Sequence, residues 1–398
     1  MPKGNELFRA AVVTEVKVSP RCRHFPDCGG CSWQDIDYLR QLELKEEEVR
    51  RLFRALNLSF LDFPSINGME DPWFYRNKME FTFRAGAVLG LHRRGNFREV
   101  VELEECFLPS PIVNAILQTV KNFVRENNLS LYSPRTRSGL LRYLVIREGK
   151  NTGEILVNIV TFTDNFPEIE LLSSILLREL PAIKTFFWSI GPYPADAVKI
   201  SEMRLIAGQP FITEKLGNFT FRIRPNSFFQ TNTQQAEKLC YLIREMASLK
   251  GGERVLDLYC GVGTFSFFLA DRALKVYGIE IDPQTVEEAQ ENAYLNGIGN
   301  VEFISGDVRK VVTPLWQRMG GAEVMILDPP RAGIPNKVLD KLLSYPSPTV
   351  IYVSCNPRAL GENLPVFLAH RYRVETIRLI DMFPHTPHVE TVILLKKV

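Results

Sequence analysis

Short apolar runs alternate with helical stretches over about the last 150 residues of the chain. The runs are Arg254–Leu258, Lys275–Ile279, Val301–Ile304, Glu323–Leu327 and Val350–Val353. Continuous apolar runs of this length, separated by helices, are typical of parallel strands that are buried on both faces. The pattern therefore predicts an α/β fold with a Rossmann-like, doubly wound and mostly parallel sheet.

The middle of the chain, from Trp73 to about Arg224, has a different pattern, in which strand-like segments outnumber helical ones. The predicted strands include Lys78–Phe83, Leu140–Arg147 and Ile155–Thr161, and the predicted helices are Pro111–Glu126 and Glu168–Glu179. This arrangement favours a largely antiparallel α+β module. The turn Arg224-Pro225-Asn226 ends it, and a helix from Thr233 to about Leu249 leads into the parallel sheet.

The N-terminal stretch contains a strand-like segment, Ala10–Val18, a cysteine-rich segment, and an amphipathic helix from about Gln34 to Leu56. The apolar side of this helix carries Leu39, Leu42, Val49, Leu52 and Phe53. One continuous apolar stripe is typical of a helix that packs on a core. We therefore expect this helix to serve packing and not chemistry.

Composition bounds the protein class. The 398 residues allow two or three domains of roughly 100–200 residues each, and 45% hydrophobic with 24% charged residues excludes a disordered or fibrous chain. No apolar run approaches the roughly 20 residues that cross a bilayer, and no signal-peptide pattern opens the chain, so we expect a cytoplasmic protein without a membrane partner. The net charge of +2 means that any basic surface is local.

Glycines follow the first strand of the predicted parallel sheet, in Tyr259-Cys260-Gly261-Val262-Gly263-Thr264. Such glycines let the backbone turn tightly and approach a ligand closely. A dinucleotide-binding fingerprint requires a third glycine where this chain has Ser266. The difference disfavours a pyrophosphate-containing cofactor and hence a dehydrogenase.

Carboxylates lie at the ends of three consecutive strands of this sheet, at Asp257, Glu280 and Asp307. Glu280 follows the glycines by about 20 residues, where a carboxylate accepts hydrogen bonds from ribose hydroxyls, and Asp307 could accept one from an adenine amine. Strand carboxyl ends converge on one crevice, so the series predicts an S-adenosylmethionine site. The alternative is that these acids are loop caps or solvated turn residues.

Two further loops open at the same sheet edge, Asp328-Pro329-Pro330-Arg331 and Ser354-Cys355-Asn356-Pro357. A helix that starts after Cys355 could lower the pKa of its thiol below the free value of about 8.5, which makes Cys355 a candidate nucleophile. The alternative is an inert, buried thiol.

Glu390 begins the last strand, where partial burial would raise its pKa and suit it to act as a general base. His385 and His388 precede it, and two histidines without a third ligand are more typical of structural hydrogen bonding than of a metal site.

Five ordered motifs resemble the RNA uracil-5-methyltransferases, which use S-adenosylmethionine to make 5-methyluridine in ribosomal or transfer RNA. The motifs are Arg224-Pro225-Asn226-Ser227-Phe228-Phe229-Gln230-Thr231-Asn232, Asp257-Leu258-Tyr259-Cys260-Gly261-Val262-Gly263, Asp328-Pro329-Pro330-Arg331, Ser354-Cys355-Asn356-Pro357, and Asp381-Met382-Phe383-Pro384-His385-Thr386 with Glu390. The resemblance extends from about Cys22 to the end of the chain.

The resemblance implies a role for each matching residue. Cys355 would be the nucleophile and Glu390 the base, and the cofactor site would be lined by Gln230, Tyr259, Glu280, Asp307 and Asp328. Thr264 stands where many members carry Asn, so its cofactor contact is less secure.

The chemistry independently requires these residue types. Uracil C5 is a weak nucleophile until a thiolate adds to C6, and the C5 proton must then be removed before the thiolate can leave. The uracil must also leave its stack to reach both groups. Phe383, Phe228 or Phe229 could fill the vacancy or stack on the base, although each could equally be a core residue.

Four of the seven cysteines form a candidate ligand set. Cys28 and Cys31 form a C-x-x-C pair, Cys22 lies just before them, and Cys106 is remote in sequence. Four thiolates fit a structural zinc or an iron-sulfur cluster, and spacing does not choose between them. The alternative is that these cysteines are buried and bind nothing. The resemblance implies a [4Fe-4S] cluster, which is typical of the ribosomal members and favours 23S ribosomal RNA over transfer RNA as the substrate.

RNA is the predicted partner, and no obligate protein partner is evident. Many cluster-bearing relatives begin with a small β-barrel RNA-binding module, of which Ala10–Val18 would be a remnant here. Basic residues interleaved with aromatic ones then supply the RNA surface. The candidates are Arg76-Asn77-Lys78, His92-Arg93-Arg94 with Phe97-Arg98, and Arg135, Arg137 and Arg142 beside Tyr143. Each stretch alone is more typical of a solvated face.

The resemblance also implies interleaved domains. Residues 1–33 with 66–226 would form the central RNA-binding domain that carries the iron-sulfur site, and residues 34–65 with 227–398 the methyltransferase domain. A rival hypothesis is a non-catalytic RNA-binding iron-sulfur or zinc protein that has kept a degenerate methyltransferase fold. Intact Cys355, Glu390 and Asp328 argue against it.

Overall fold

The computed structural model describes residues 17–58, 63, 65–85, 88–193 and 198–398. Most of the predicted strand Ala10–Val18 therefore lies outside the described residues. Two seven-stranded sheets and one two-stranded hairpin organise the described part of the chain.

The described helices and strands have the following bounds. The helices are α1 Tyr38–Ala55, α2 Pro111–Glu126, α3 Ile169–Glu179, α4 Thr233–Ala247, α5 Thr264–Ala270, α6 Pro283–Leu295, α7 Val308–Met319, α8 Asn336–Leu343 and α9 Pro357–Ala369. The strands of the N-terminal sheet are β1 Lys78–Phe83, β2 Leu89–Arg93, β3 Asn96–Glu102, β4 Leu141–Glu148, β5 Ile155–Thr161, β6 Ile183–Ile190 and β7 Glu202–Gly208. The hairpin consists of β8 Ile212–Leu216 and β9 Phe219–Ile223. The strands of the C-terminal sheet are β10 Arg254–Leu258, β11 Lys275–Glu280, β12 Val301–Ser305, β13 Val324–Leu327, β14 Thr349–Ser354, β15 Tyr372–Ile380 and β16 Glu390–Lys397.

The C-terminal sheet has the order β12-β11-β10-β13-β14-β16-β15. Its first five strands run parallel, and β16 pairs antiparallel with both β14 and β15. Successive side chains alternate between two apolar cores: Val255 packs with α4, α5 and α6, whereas Leu256 packs with α1, α7, α8 and α9. Burial on both faces explains the continuous apolar runs, and the predicted doubly wound fold is confirmed.

The N-terminal sheet has the order β3-β2-β1-β4-β5-β6-β7 and is antiparallel except for the parallel β5–β6 pair. Apolar residues of α2 and α3 share a core with β1, β4, β5 and β6. The predicted α+β character of this part is therefore confirmed.

Helix α1 begins later than the sequence pattern predicts. Asp37 caps it by accepting a hydrogen bond from the Leu39 amide at 3.0 Å, so residues 34–36 precede the helix. Val49 and Phe53 are buried against the C-terminal sheet, as the apolar stripe predicts, but Leu39 is 70% exposed. The stripe faces the core only from the second turn onward.

The hairpin β8–β9 packs on the C-terminal half. Ile212, Leu216, Phe221 and Ile223 are buried in the same core as α4, α5 and α6. The chain thus joins the C-terminal core some residues before the predicted boundary at residue 226, and the interleaved domain division stays a prediction. Among the described residues, every helix is too short or too polar to cross a bilayer.

Candidate active site

The glycine loop after β10 turns within five residues into α5. Tyr259, Gly261 and Gly263 all have positive φ values, of 64°, 53° and 83°. A Cβ on Gly263 would lie 2.5 Å from Cζ of Phe303, which is closer than two carbon atoms can approach. Gly263 is therefore required both by its backbone conformation and by the contact of the loop with β12.

Ser266 supports the carboxylate at the centre of this site. Its hydroxyl donates a hydrogen bond to Oδ2 of Asp257 at 2.6 Å, and Asp257 is fully buried. Burial raises the pKa of Asp257 to about 7, and its Oδ1 has no hydrogen-bond partner among the described residues. The sequence interpretation treated Ser266 only as a departure from the dinucleotide fingerprint and missed this role.

The next two strands bring their predicted cofactor ligands to the same rim. Glu280 accepts hydrogen bonds from the amides of Gly261 at 3.2 Å and Ile281 at 2.7 Å. Asp307 caps α7 by accepting a hydrogen bond from the Arg309 amide at 2.9 Å, and its pairing with the Arg309 guanidinium lowers the pKa of Asp307 to about 2. Asp307 is thus a helix cap, which the sequence analysis gave as the alternative to cofactor binding. The pKa of the Tyr259 phenol is raised by burial and, to a smaller extent, by the charge of Asp307.

The segment Phe228–Thr231 runs past the glycine loop. Phe228 is 62% exposed and its ring lies against Gly261, where a Cβ would be 3.7 Å from Cδ1. Phe229 is buried against Phe221, with ring centroids 5.4 Å apart, so it is a core residue and unavailable for base stacking. The carbonyl of Gln230 accepts a hydrogen bond from Nδ2 of Asn77 at 2.8 Å, and Thr264 is half-buried at the first position of α5.

The two candidate catalytic side chains and one candidate cofactor ligand lie at one end of three adjacent strands. Asp328 follows β13, Cys355 follows β14, and Glu390 begins β16. Leu327 pairs with Tyr352 across β13–β14, and Ser354 pairs with Thr391 across β14–β16. One step beyond the second pair, the register sets Cys355 opposite Glu390, and one step beyond the first pair it sets Asp328 opposite Val353, two residues before Cys355. The charges of both carboxylates act on the Cys355 thiol.

The pKa values of all three groups are raised, chiefly by burial. Burial raises the pKa of Cys355 to about 11, and the negative charges of Glu390 and Asp328 add to the effect, while Arg331 opposes it. Burial, with a contribution from Asp328, holds the pKa of Glu390 well above its usual range. Burial, with a contribution from Asp257, raises the pKa of Asp328 to about 7. The expectation that the following helix lowers the thiol pKa is therefore wrong for the ligand-free chain, because burial and two carboxylates outweigh the helix terminus.

The two histidines near Glu390 have separate partners. Nδ1 of His388 lies 3.2 Å from Nη2 of Arg331, and its ring meets Phe383 edge-on at 6.1 Å. His385 stacks on Trp73 with ring centroids 3.9 Å apart. Within the described residues, no three His, Cys, Asp or Glu side chains are arranged to hold a single metal ion.

The four predicted ligand cysteines line one cavity. Cys22, Cys28, Cys31 and Cys106 share it with an apolar wall that includes Leu91, Leu103 and Leu108. Burial raises the pKa of each of these thiols, and that of Cys31 rises to about 12. The charges of Cys28 and Cys22 also raise the pKa of Cys31, and those of Cys31, Cys28 and Cys22 raise the pKa of Cys106. The loops thus bring these four residues together across 84 positions of sequence.

Comparison with known proteins places this site in a family. The model of the tRNA (uracil-5-)-methyltransferase family matches residues 198–398. A protein of Clostridium tetani named as an uncharacterized RNA methyltransferase is 40% identical over 390 residues, which cover 96% of this chain and 84% of the relative. The chain belongs to the RNA uracil-5-methyltransferase family. A second such relative, from Clostridium acetobutylicum, is 38% identical over 395 residues, which cover 97% of this chain and 86% of the relative.

A solved structure resembles the whole arrangement. The Pyrococcus abyssi tRNA (uracil-54, C5)-methyltransferase in complex with S-adenosyl-L-homocysteine has a TM-score of 0.76 and 30% sequence identity, and the match covers 93% of this chain and 86% of that one. As a member of this uracil-5-methyltransferase family, the protein is an S-adenosylmethionine-dependent RNA methyltransferase, which confirms the predicted family, cofactor and substrate class. The individual site residues, the cluster and the choice of RNA stay predictions.

Two of the three basic stretches predicted to bind RNA meet in one groove of this RNA methyltransferase. The groove is lined by Arg76 and Lys78 at the start of β1 and by Arg93, Arg94 and Phe97 of the β2–β3 hairpin. Thr231 and Glu80 line it as well. Phe97 is 75% exposed.

The remaining basic candidates are not all surface groups. Arg142 is buried and donates hydrogen bonds to the carbonyls of Gly191 and Tyr193, so it is a structural residue and the expectation for it is wrong. Asn77 is also buried, where it supports Gln230.

Proposed function

We propose that the protein transfers a methyl group to C5 of a uridine in RNA through a covalent adduct between Cys355 and uracil C6. The observation that carries this proposal is the register of β13, β14 and β16, which sets a thiol beside a buried carboxyl group at the edge of the cofactor crevice. A thiol and a base are the two groups that methylation at C5 requires.

The residues of the crevice fit S-adenosylmethionine. The glycine loop allows close approach of a ligand, Glu280 and Asp307 lie at the rim, and Oδ1 of buried Asp257 has no partner among the described residues. Tyr259, Thr264, Gln230 and Asp328 would complete the site. Bound there, the cofactor supplies an electrophilic methyl group on a positively charged sulfur.

Cys355 performs the activating step in this proposal. Its partly exposed thiol loses its proton to solvent, the thiolate forms a bond to C6, and the electron pair of the C5–C6 double bond becomes available at C5. C5 then takes the methyl group, and S-adenosylhomocysteine is the by-product. The raised thiol pKa makes the loss of the first proton the demanding part of this step.

Glu390 completes the reaction. After methyl transfer, C5 carries both a proton and the new methyl group, and Glu390 accepts the proton while the C5–C6 double bond reforms and the thiolate leaves. A carboxyl group with a raised pKa is a stronger base once ionised, which suits it to accept a proton from carbon.

The cysteine cavity has the donor set of a [4Fe-4S] cluster. Each thiolate of a cubane binds a different iron, so such a cluster takes four cysteines. Four cysteines line this cavity, together with apolar side chains. Cys22, Cys28, Cys31 and Cys106 would hold the cluster, which supplies a rigid, positively charged centre for the loops.

The proposed substrate is 23S ribosomal RNA in the cytoplasm, on the strength of the cysteine set. The basic groove between β1 and the β2–β3 hairpin would hold the nucleotides that flank the target, since Arg and Lys bind phosphates and exposed Phe97 can stack on a base.

Transfer RNA is the second candidate, because the resembling Pyrococcus abyssi enzyme acts on uridine 54 of transfer RNA. Methyl transfer from radiolabelled cofactor to unmodified 23S ribosomal RNA and to unmodified transfer RNA decides between them. We expect label in ribosomal RNA only, recovered as 5-methyluridine after digestion. Label in transfer RNA alone would replace the substrate and keep the chemistry, whereas label at any position other than uracil C5 would overturn the chemistry.

A further inference from the structure

The segment that leads into Glu390 is held by residues near the N-terminus. It runs from Asp381 to Val389 between β15 and β16, and Ile380, which precedes it, is the cross-strand partner of Glu390. Any displacement of this segment is therefore transmitted directly to the backbone of Glu390.

A buried ion pair anchors the start of the segment. Nζ of Lys45 donates to Oδ1 of Asp381 at 2.5 Å and to the carbonyl of Phe383 at 3.1 Å, and both charged side chains are fully buried. The hydroxyl of Tyr38 donates to Oδ2 of Asp381 at 2.8 Å. Lys45 and Tyr38 lie on α1, so one helix binds both carboxylate oxygens.

A second set of bonds anchors the middle of the segment. The carbonyl of His385 accepts hydrogen bonds from the amides of Ser32 at 2.8 Å and Trp33 at 3.0 Å, directly after Cys31. The amide of His385 donates to Oε1 of Gln41 at 2.9 Å, and Nε2 of Gln41 donates to the carbonyls of Trp33 and Ile36. The backbone of the segment is thus bonded at its start and at its middle.

An ion pair removed from water is an inefficient way to gain stability, because desolvation of two charges offsets their attraction and apolar substitutes often serve as well. It is, however, an efficient way to define one geometry, since each charge needs the other in a particular place. Gln41 and Lys45 occupy buried positions of a helix face that otherwise packs apolar residues such as Val49 and Phe53. These two polar side chains are therefore better explained by the need to hold the Asp381–Val389 segment in one place than by packing of the core.

We propose that Lys45 is a positioning residue for Glu390, which acts through Asp381 and the Phe383 carbonyl to hold the base where it can reach the C5 proton. Lys45 touches no reacting atom. The inference rests on the proposed function, because it assumes that Glu390 removes that proton.

The test separates the two halves of the reaction. An RNA with 5-fluorouridine at the target has no C5 proton, so its adduct with the enzyme reports thiolate addition and methyl transfer without the step assigned to Glu390. Turnover of ordinary uridine reports every step. We expect Lys45→Met to form the fluorouridine adduct within about threefold of the wild-type rate, yet to turn over uridine about 100-fold more slowly, as a displaced catalytic group would cause.

A methylated protein–RNA adduct should then accumulate with uridine, as it should in Glu390→Gln. Tyr38→Phe, which removes one hydrogen bond to Asp381 and buries no unpaired charge, should show the same split about fivefold more weakly, and it carries the test if Lys45→Met does not fold. The control is Arg54→Met, which removes an exposed cation from the last turn of the same helix and should change neither rate.

Equal slowing of both reactions in Lys45→Met and Tyr38→Phe would assign the ion pair to general folding and overturn the inference, as would unchanged uridine turnover in a folded Lys45→Met. Failure of the wild type to form any fluorouridine adduct would instead overturn the proposed covalent mechanism.

Discussion

Two regions of the molecule hold the cysteines that are candidates for chemistry, and the side chains around these cysteines differ. At the strand edge, a single half-buried thiol, Cys355, lies with two carboxyl groups and with Arg331. In the cavity near the N-terminus, four thiols lie with one another and with leucine side chains. Burial raises the thiol pKa in both places, so burial alone does not distinguish a nucleophile from a ligand.

The difference lies in what can stabilise the thiolate. Cys355 has a neighbouring guanidinium, that of Arg331, and in the proposal faces the crevice for a positively charged cofactor, so one thiolate can form there transiently. Burial and then the charges of Cys28 and Cys22 raise the pKa values of Cys31 and Cys106, so several thiolates can coexist there only around a cation. The two surroundings agree with the proposed roles, in which Cys355 forms a reactive thiolate and the four-cysteine cavity binds metal.

The two regions are also built differently. Parallel strands bring Asp328 and Cys355 to one edge without help from their own side chains. The cavity is formed by loops. An isolated antiparallel β-bridge between Cys28 and Arg93 holds one loop, and a hydrogen bond of 2.8 Å from the Cys106 amide to Oδ1 of Asn114 holds the other. The catalytic edge should therefore survive loss of its cysteine, and the cavity should not.

The largest expected effect comes from Cys355→Ala. We expect methyl transfer to fall by about 1000-fold or more, because the nucleophile is lost and C5 is no longer activated. Cofactor binding and the thermal midpoint should stay at the wild-type values, since the thiol is half-buried at a strand end. Turnover of Cys355→Ala at more than about a tenth of the wild-type rate would show that this cysteine is not the nucleophile.

A pH profile gives the next largest effect. The thiol pKa of about 11 means that the thiolate fraction of Cys355 rises about tenfold with each pH unit below that value. The rate of adduct formation with fluorouridine RNA, at saturating RNA and cofactor, should therefore rise about 100-fold from pH 7 to pH 9.

Arg331→Met should slow this reaction at each pH in that range, because the substitution removes a cation that lowers the thiol pKa. A wild-type profile that is flat from pH 7 upward would mean that the bound ligands hold the thiol pKa below 7.

The smallest effect concerns Cys106→Ser. We expect iron to fall well below about four atoms per chain after anaerobic purification, and the thermal midpoint to drop by several degrees, because cluster binding also stabilises the loops. Cys240→Ser is the matched control: it places a hydroxyl in the C-terminal core and should lower the midpoint without loss of iron. One tightly held zinc in anaerobic wild-type protein would contradict the cluster.

The five parallel strands of the C-terminal sheet could be predicted almost to the residue, because apolar runs and turn residues are local signals. Surface and interior could not be assigned so well from local signals. Leu39 looked like a core residue and is exposed, while Arg142 looked like an RNA ligand and is buried. Burial depends on which other elements cover a residue, and neighbouring sequence does not contain that information.

Electrostatics shows the same division. The helix after Cys355 predicts a lowered thiol pKa, but burial and then the charge of Glu390 raise it. Glu390 lies opposite Cys355 across the β14–β16 pair and 35 positions away in sequence. The amphipathic pattern of α1 correctly predicts that Val49 and Phe53 are buried, but it does not predict a role for Lys45. The signal in the sequence was a charged residue four positions before Val49, on the apolar side of the helix.

By itself, the sequence determined the order of strands and helices, the glycine loop, and the motifs that place a thiol and carboxylates at strand ends. These follow from backbone periodicity and from the fact that parallel strands share one carboxyl edge. Only the tertiary structure decided that Lys45 meets Asp381 across 336 positions, that four cysteines share a cavity, and that the charges of two acids act on Cys355. Such outcomes depend on charge and burial, and both arise from atoms that are close in space and distant in the chain.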